Sequence, residues 1–140
     1  MKKNIKKKNG FTMVELLIVI AIIGVLSALM MPNFVSIQDR AKEVSVKAIV
    51  LSVQNALENY QIDSGQYPNG SDLPISDLCE ILIADGYLTQ TPTNPFTGAN
   101  YTADDTSGQI TYSYDSNTGV YSISAVKRDG STNILTVSNN

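Results

Sequence analysis

Gly10-Phe11-Thr12-Met13-Val14-Glu15, followed by Leu16-Leu17-Ile18-Val19-Ile20-Ala21-Ile22-Ile23-Gly24-Val25-Leu26, is the stretch on which the fold turns. From Phe11 to Met31 there are twenty-one residues and one charge, Glu15. A helix rising about 1.5 Å per residue would be roughly 32 Å long over this run, enough to cross the hydrocarbon of a bilayer. Just upstream, Lys2, Lys3, Lys6, Lys7 and Lys8 make up five of the ten Lys and Arg residues in the 140-residue chain. Cations crowded beside a span stay on the cytoplasmic side, which puts the N-terminus inside and everything after Met31 outside.

Glu15 sets the span apart from a plain anchor. A carboxylate near the start of a spanning helix costs on the order of 2.5 to 3.5 kcal/mol on insertion scales, so it calls for a partner. A cut between Gly10 and Phe11 would create one, because the new α-amino group, with a reference pKa of about 8, is mostly charged at neutral pH. Opposite charges about 4 Å apart attract by roughly 4 kcal/mol at an effective dielectric of 20, and desolvation takes back much of that, so the pair steers packing more than it stabilises. A secretory signal has a shorter apolar region followed by small residues, of which Ser27-Ala28-Leu29 is a faint version. Lipoprotein processing is excluded, since no cysteine stands at the cut.

On these residues the chain resembles the type IV pilins and type II secretion pseudopilins. The shared features are a basic leader, glycine at the cut, phenylalanine first and acid fifth in the mature chain, and proline at the end of the apolar run. Met13 stands where the family most often has leucine. The resemblance is strong over residues 1–35 and general beyond. It implies that a prepilin peptidase cuts after Gly10 and N-methylates Phe11, and that Glu15 pairs with the Phe11 amine of a neighbouring subunit. It also implies an assembly ATPase and a membrane platform protein. The lysines would lock the uncut chain to the cytoplasmic face, so that cleavage frees the subunit and makes the assembly charge in one step.

Pro32 marks the end of the apolar run and predicts a kink or local melt, or else a simple helix end. Beyond it, Ser36, Glu43, Lys47, Gln54, Glu58 and Gln61 fall on one strip at 100° per residue. Two apolar faces remain. Val46, Ile49, Val53, Leu57 and Tyr60 form one, and Ala41, Val44, Ala48 and Leu51 the other. A helix covering one domain needs only one apolar stripe, so the second face points to neighbouring subunits or to burial on both sides within the domain.

The helix should end near Asp63-Ser64-Gly65, with Gly65 in a left-handed cap. A second helix is expected from about Asp77 to Ala84, with Asp77 as cap, Glu80 completing a capping box and Gly86 as stop. An irregular connection follows over residues 91–98, where two prolines argue against a strand. From residue 99 the apolar period becomes two, with turns at Ser107-Gly108, Asn117-Thr118-Gly119 and Asp129-Gly130, which predicts an antiparallel meander of three or four strands. The fold class is therefore α+β, a long N-terminal helix packed on a small antiparallel sheet, similar in element order to major pseudopilins and disulfide-free pilins. The segments are a leader at 1–10, a membrane or filament-core helix at 11–31, an amphipathic half at 32–63 and a globular head at 64–140.

Composition removes several functions. With no histidine and one cysteine, the chain has no internal disulfide and none of the common zinc sets or imidazole-based triads. Cys79, in an apolar stretch beside Glu80, reads as a core residue, and no enzyme is expected. Losing the leader leaves five cations against 13 acids, so direct nucleic-acid binding is not expected. Some relatives hold calcium in the sheet. Asp104 and Asp105, or Asp115 and Asn117, carry the hard oxygens calcium prefers, though such residues also build plain turns. No other cofactor is implied.

The function these residues favour is a structural subunit, membrane-held at first and then polymerised with copies of itself into an extracellular type IV pilus for adhesion, twitching motility or surface interaction. The alternatives are a pseudopilin of a type II secretion or competence DNA-uptake system and a monomeric membrane-tethered binding domain.

Overall fold

The computed structural model describes residues 10–139, with the side chains of 31–33 excepted. The leader lysines, Lys2 to Lys8, lie outside the described residues, and so does the Pro32 side chain on which the expected kink rests. Helix α1 runs from Met13 to Ser64, so Pro32 does not end it. The chain divides into two units at Ile37 and Gln38.

The first unit is the apolar half of α1. Met13–Met30 is long and apolar enough to cross a membrane, and none of it is buried by the rest of the chain. Within it the Ser27 hydroxyl donates to the carbonyl of Ile23 at 2.8 Å, so this polar group is paired within the apolar helix itself.

The second unit is a head built on the rest of α1. Gly65 ends the helix at φ 82°, a left-handed conformation that only glycine adopts freely, and its N–H closes onto Gln61 O at 2.8 Å. After this come β1 (Leu73–Pro74), α2 (Ile75–Ala84), β2 (Ile110–Asp115), β3 (Val120–Val126) and β4 (Asn133–Ser138). The sheet is antiparallel throughout, in the order β1-β2-β3-β4. Turns at Asn117-Thr118-Gly119 and Asp129-Gly130 join β2 to β3 and β3 to β4, as the sequence predicts, with Gly119 and Gly130 both at positive φ.

Two expectations need correction. Helix α2 starts at Ile75 rather than Asp77; its cap is Pro74, which makes no side-chain cap bond, and Asp77 and Glu80 form no capping box. Pro74 can sit there because it also ends β1, an edge strand where its missing N–H costs little. Ser107-Gly108 is not a turn between strands, because residues 99–109 hold only the isolated bridge of Thr93 to Asn100. Gly108 instead sits buried at φ 68°, with its N–H on Lys127 O and its own carbonyl accepting from the Tyr101 hydroxyl. The fourth strand is β1, contributed from upstream of α2.

One core joins these elements. From α1 come Val46, Val50, Val53 and Leu57; from α2 come Leu78, Cys79 and Leu82; and alternate positions of β2 and β3 add Tyr112, Tyr121 and Ile123. The heptad-like spacing on α1 meets period two on the sheet, the arrangement expected where a helix crosses a pleated face. Glu58, at the rim, accepts from Tyr121 Oη at 2.7 Å and Tyr67 Oη at 2.9 Å, tying helix to sheet. Two further ties are Lys127 to Glu43 at 3.3 Å and Arg128 to Asp39 at 3.6 Å.

The β3–β4 turn is pH-sensitive. The Thr132 hydroxyl and the backbone N–H groups of Ser131 and Thr132 all donate to Asp129, holding its carboxyl down to about 2. A carboxyl with a depressed folded pKa stabilises above its unfolded pKa, about 3.9, and that stability is lost as pH falls toward 2. Thermal unfolding of Asp129→Ala beside the unaltered chain should differ at pH 5 and converge by about pH 2. An equal difference at both pH values would contradict this.

Candidate functional site

The segment singled out by its sequence begins in non-helical, exposed chain. Gly10 and Phe11 precede α1, and Phe11 is 79% exposed, so the bond between them is accessible. At Thr12 the chain turns into helix. Glu15 Oε2 accepts from Thr12 N at 3.0 Å and from Thr12 Oγ1 at 2.9 Å, while Glu15 N donates back to Thr12 Oγ1 at 3.2 Å. This reciprocal pattern is a capping box, which satisfies backbone donors that the first helical turn leaves orphaned. Thr12 was not among the residues singled out from sequence, although Thr-x-x-Glu ahead of an apolar run is the signature that would have found it.

The arrangement fixes the Glu15 carboxylate on the backbone N–H of Thr12, the residue next to the one where a cut would place an amine. It also favours a negative charge there, at the positive end of the helix dipole. Gly24, mid-span, leaves open space where a side chain would stand, so another helix can approach closely.

In the head, the two apolar faces of α1 separate cleanly. Val46, Val53 and Leu57 are buried, with Ile49 and Tyr60 partly so, whereas Ala41, Val44, Ala48 and Leu51 are exposed. Val44 is 64% and Leu51 53% exposed, which rules out burial of both faces within the described head. The polar strip lies between them, and its Glu43 and Glu58 turn toward the head through the contacts already described.

The structure does not bring the candidate calcium residues together as one site. Asp105 Oδ2 accepts from Asn94 Nδ2 and Thr102 N in the connection before β2. Asp115 accepts from Asn117 and Thr118 in the β2–β3 turn. Both are turn-building acceptors, and no three His, Cys, Asp or Glu residues cluster in metal-holding fashion among the described residues. Cys79 is fully buried and burial pushes its thiol up to about 12, which suits a core residue and not a nucleophile.

Residues 5–31 match the prokaryotic N-terminal methylation motif. Among curated relatives, the type II secretion system core protein G of Escherichia coli strain K12 is 33% identical over 95 residues, covering 68% of this chain and 58% of that protein. Core protein G of Pectobacterium carotovorum is 28% identical over 103 residues, covering 68% and 65%. That of Pseudomonas aeruginosa is 29% identical over 104 residues, covering 65% and 70%. The chain thus spans less than two thirds of the first two relatives. No solved structure matches it significantly.

Proposed function

Because this chain belongs to the pilin and pseudopilin family, we propose that it is a structural filament subunit, held in the membrane by α1, trimmed after Gly10 and N-methylated on Phe11. The observation that carries this reading is the exposed Gly10–Phe11 bond set directly before a Thr12–Glu15 capping box at the mouth of a bare apolar span. A simple anchor needs no carboxylate there, and a signal peptide would be discarded with the span. Polymerisation then runs through α1, with Glu15 meeting the Phe11 amine of the next copy. The partners are a prepilin peptidase, an assembly ATPase and a platform protein.

Between the two filament types, the relatives favour a pseudopilin of a type II secretion machine over a surface pilus for adhesion or twitching, since each of those compared is named as a secretion core protein. The exposed stripe of α1 fits either. A calcium ion at the Asp104–Asp105 or Asp115–Asn117 turns remains a minor part of the proposal.

Two measurements test it. The intact mass of the protein from its native cell should begin at methylated Phe11; a chain that keeps its lysines overturns the reading. Deleting the gene should trap exported proteins in the cell while leaving surface fibres and movement unchanged. Loss of fibres and movement with secretion intact would choose the pilus instead.

A further inference from the structure

The charges of the head are distributed unevenly. Of the cations after the leader, Lys127 and Arg128 are ion-paired and Lys42 lies 5.7 Å from the centre of the Phe96 ring. Arg40 and Lys47 make no such contact among the described residues, and both are exposed. They stand at i and i+7 on α1, with Val44 between them and Leu51 one turn beyond. Arg40, Val44, Lys47 and Leu51 therefore form one ridge, the edge of the exposed apolar stripe, with its two cations about 10.5 Å apart along the axis.

Helix α2 presents the complementary surface. Its inner face, Ile75, Leu78, Cys79 and Leu82, is buried. At 100° per residue Asp77, Glu80, Ile81 and Ala84 take the opposite side, and Asp85 follows as the C-cap. None of the three acids has an ion pair among the described residues. Asp77 and Asp85 are eight residues apart, about 12 Å along the axis, with Ile81 midway. One ridge thus reads cation, apolar, cation and the other acid, apolar, acid, at nearly the same spacing.

We propose that the outer face of α2 in one copy of this chain seats on the Arg40–Leu51 ridge of α1 in the next. The inference rests on the filament reading above and adds to it a specific contact between heads. Opposite ridges on different faces of one molecule make a heterologous contact, which propagates as an open helical array. Charge matching at its rim would set register and partner choice more than affinity, and salt would weaken it. Val44 faces Ile81 whichever way the two helices run.

The test uses filaments made by the full chain. With Val44→Cys and Ile81→Cys in one subunit, mild oxidation should give a ladder of disulfide-linked dimers and higher species, while either single variant stays monomeric. Normal filaments with no ladder would overturn the contact and leave the filament reading standing. If the unaltered chain forms no filaments, that reading falls and this one with it. Charge exchange supplies an independent measure. Lys47→Glu should cut filament yield about tenfold, and adding either Asp77→Lys or Asp85→Lys should restore it, the effective partner revealing the helix direction. If neither exchange restores assembly, the contact is refuted.

Discussion

Glu15→Gln should leave leader removal intact and reduce filament yield by tenfold or more, with processed subunits accumulating in the membrane. The glutamine retains an oxygen to accept from Thr12 N and Oγ1, so the helix start described by the capping box survives. What is lost is the charge. In the proposed assembly that charge faces the amine created at Phe11, an attraction of about 4 kcal/mol at 4 Å and an effective dielectric of 20 before desolvation takes back much of it. A net remainder of about 1.4 kcal/mol per subunit is tenfold in an association constant. Mass spectrometry of membranes should find the mature species at normal abundance, and sheared material should be depleted of it. Wild-type filament yield from Glu15→Gln would remove the charge from the mechanism, and Glu15→Ala, which loses cap and charge together, should do no better than the glutamine.

The second large effect is expected at Asn94, which is fully buried. Its Nδ2 donates to Ser107 O at 2.9 Å and Asp105 Oδ2 at 3.2 Å, and its Oδ1 accepts from Phe96 N at 2.9 Å. Its own backbone closes the loop through Ala99 O and Gly98 N. The side chain therefore organises the long irregular connection between α2 and β2. Alanine would leave several of these groups short of a partner, at about 1–3 kcal/mol for each one left buried and unsatisfied. A total of about 2–5 kcal/mol is a large share of the 5–15 kcal/mol typical of a domain. Denaturant unfolding, followed by tyrosine fluorescence because the chain has no tryptophan, should register that loss. Asn94→Asp should be at least as damaging near neutral pH, since it sets a carboxylate against Asp105. A shift under 0.5 kcal/mol for the alanine variant would mean that the loop is held some other way.

Gly108 belongs to the same construction. A β-carbon there would collide with Phe96 Cδ2, at a φ that other residues avoid. The sequence marks Ser107-Gly108 as a turn because the dipeptide has turn chemistry. That chemistry does not say which strands flank it, and here the glycine serves a close approach between the connection and the start of β2.

Much of what the chain does is written locally. An apolar run of fixed length, one acid near its start and a cluster of lysines behind it are what the proposed span, its orientation and the proposed cut rest on, because membrane insertion depends on composition along a single helix. Local chemistry also marks the end of α1 at Gly65 and the two hairpins at 117–119 and 129–130, where left-handed backbone selects glycine. Tertiary structure decided the rest. It chose which apolar face of α1 is buried, it recruited Leu73–Pro74 as an edge strand onto Tyr112 and Thr111 far along the chain, and it placed two tyrosine hydroxyls on Glu58. Those outcomes depend on pairings between segments far apart in sequence, and no period along one segment carries information about which distant partner will cover it.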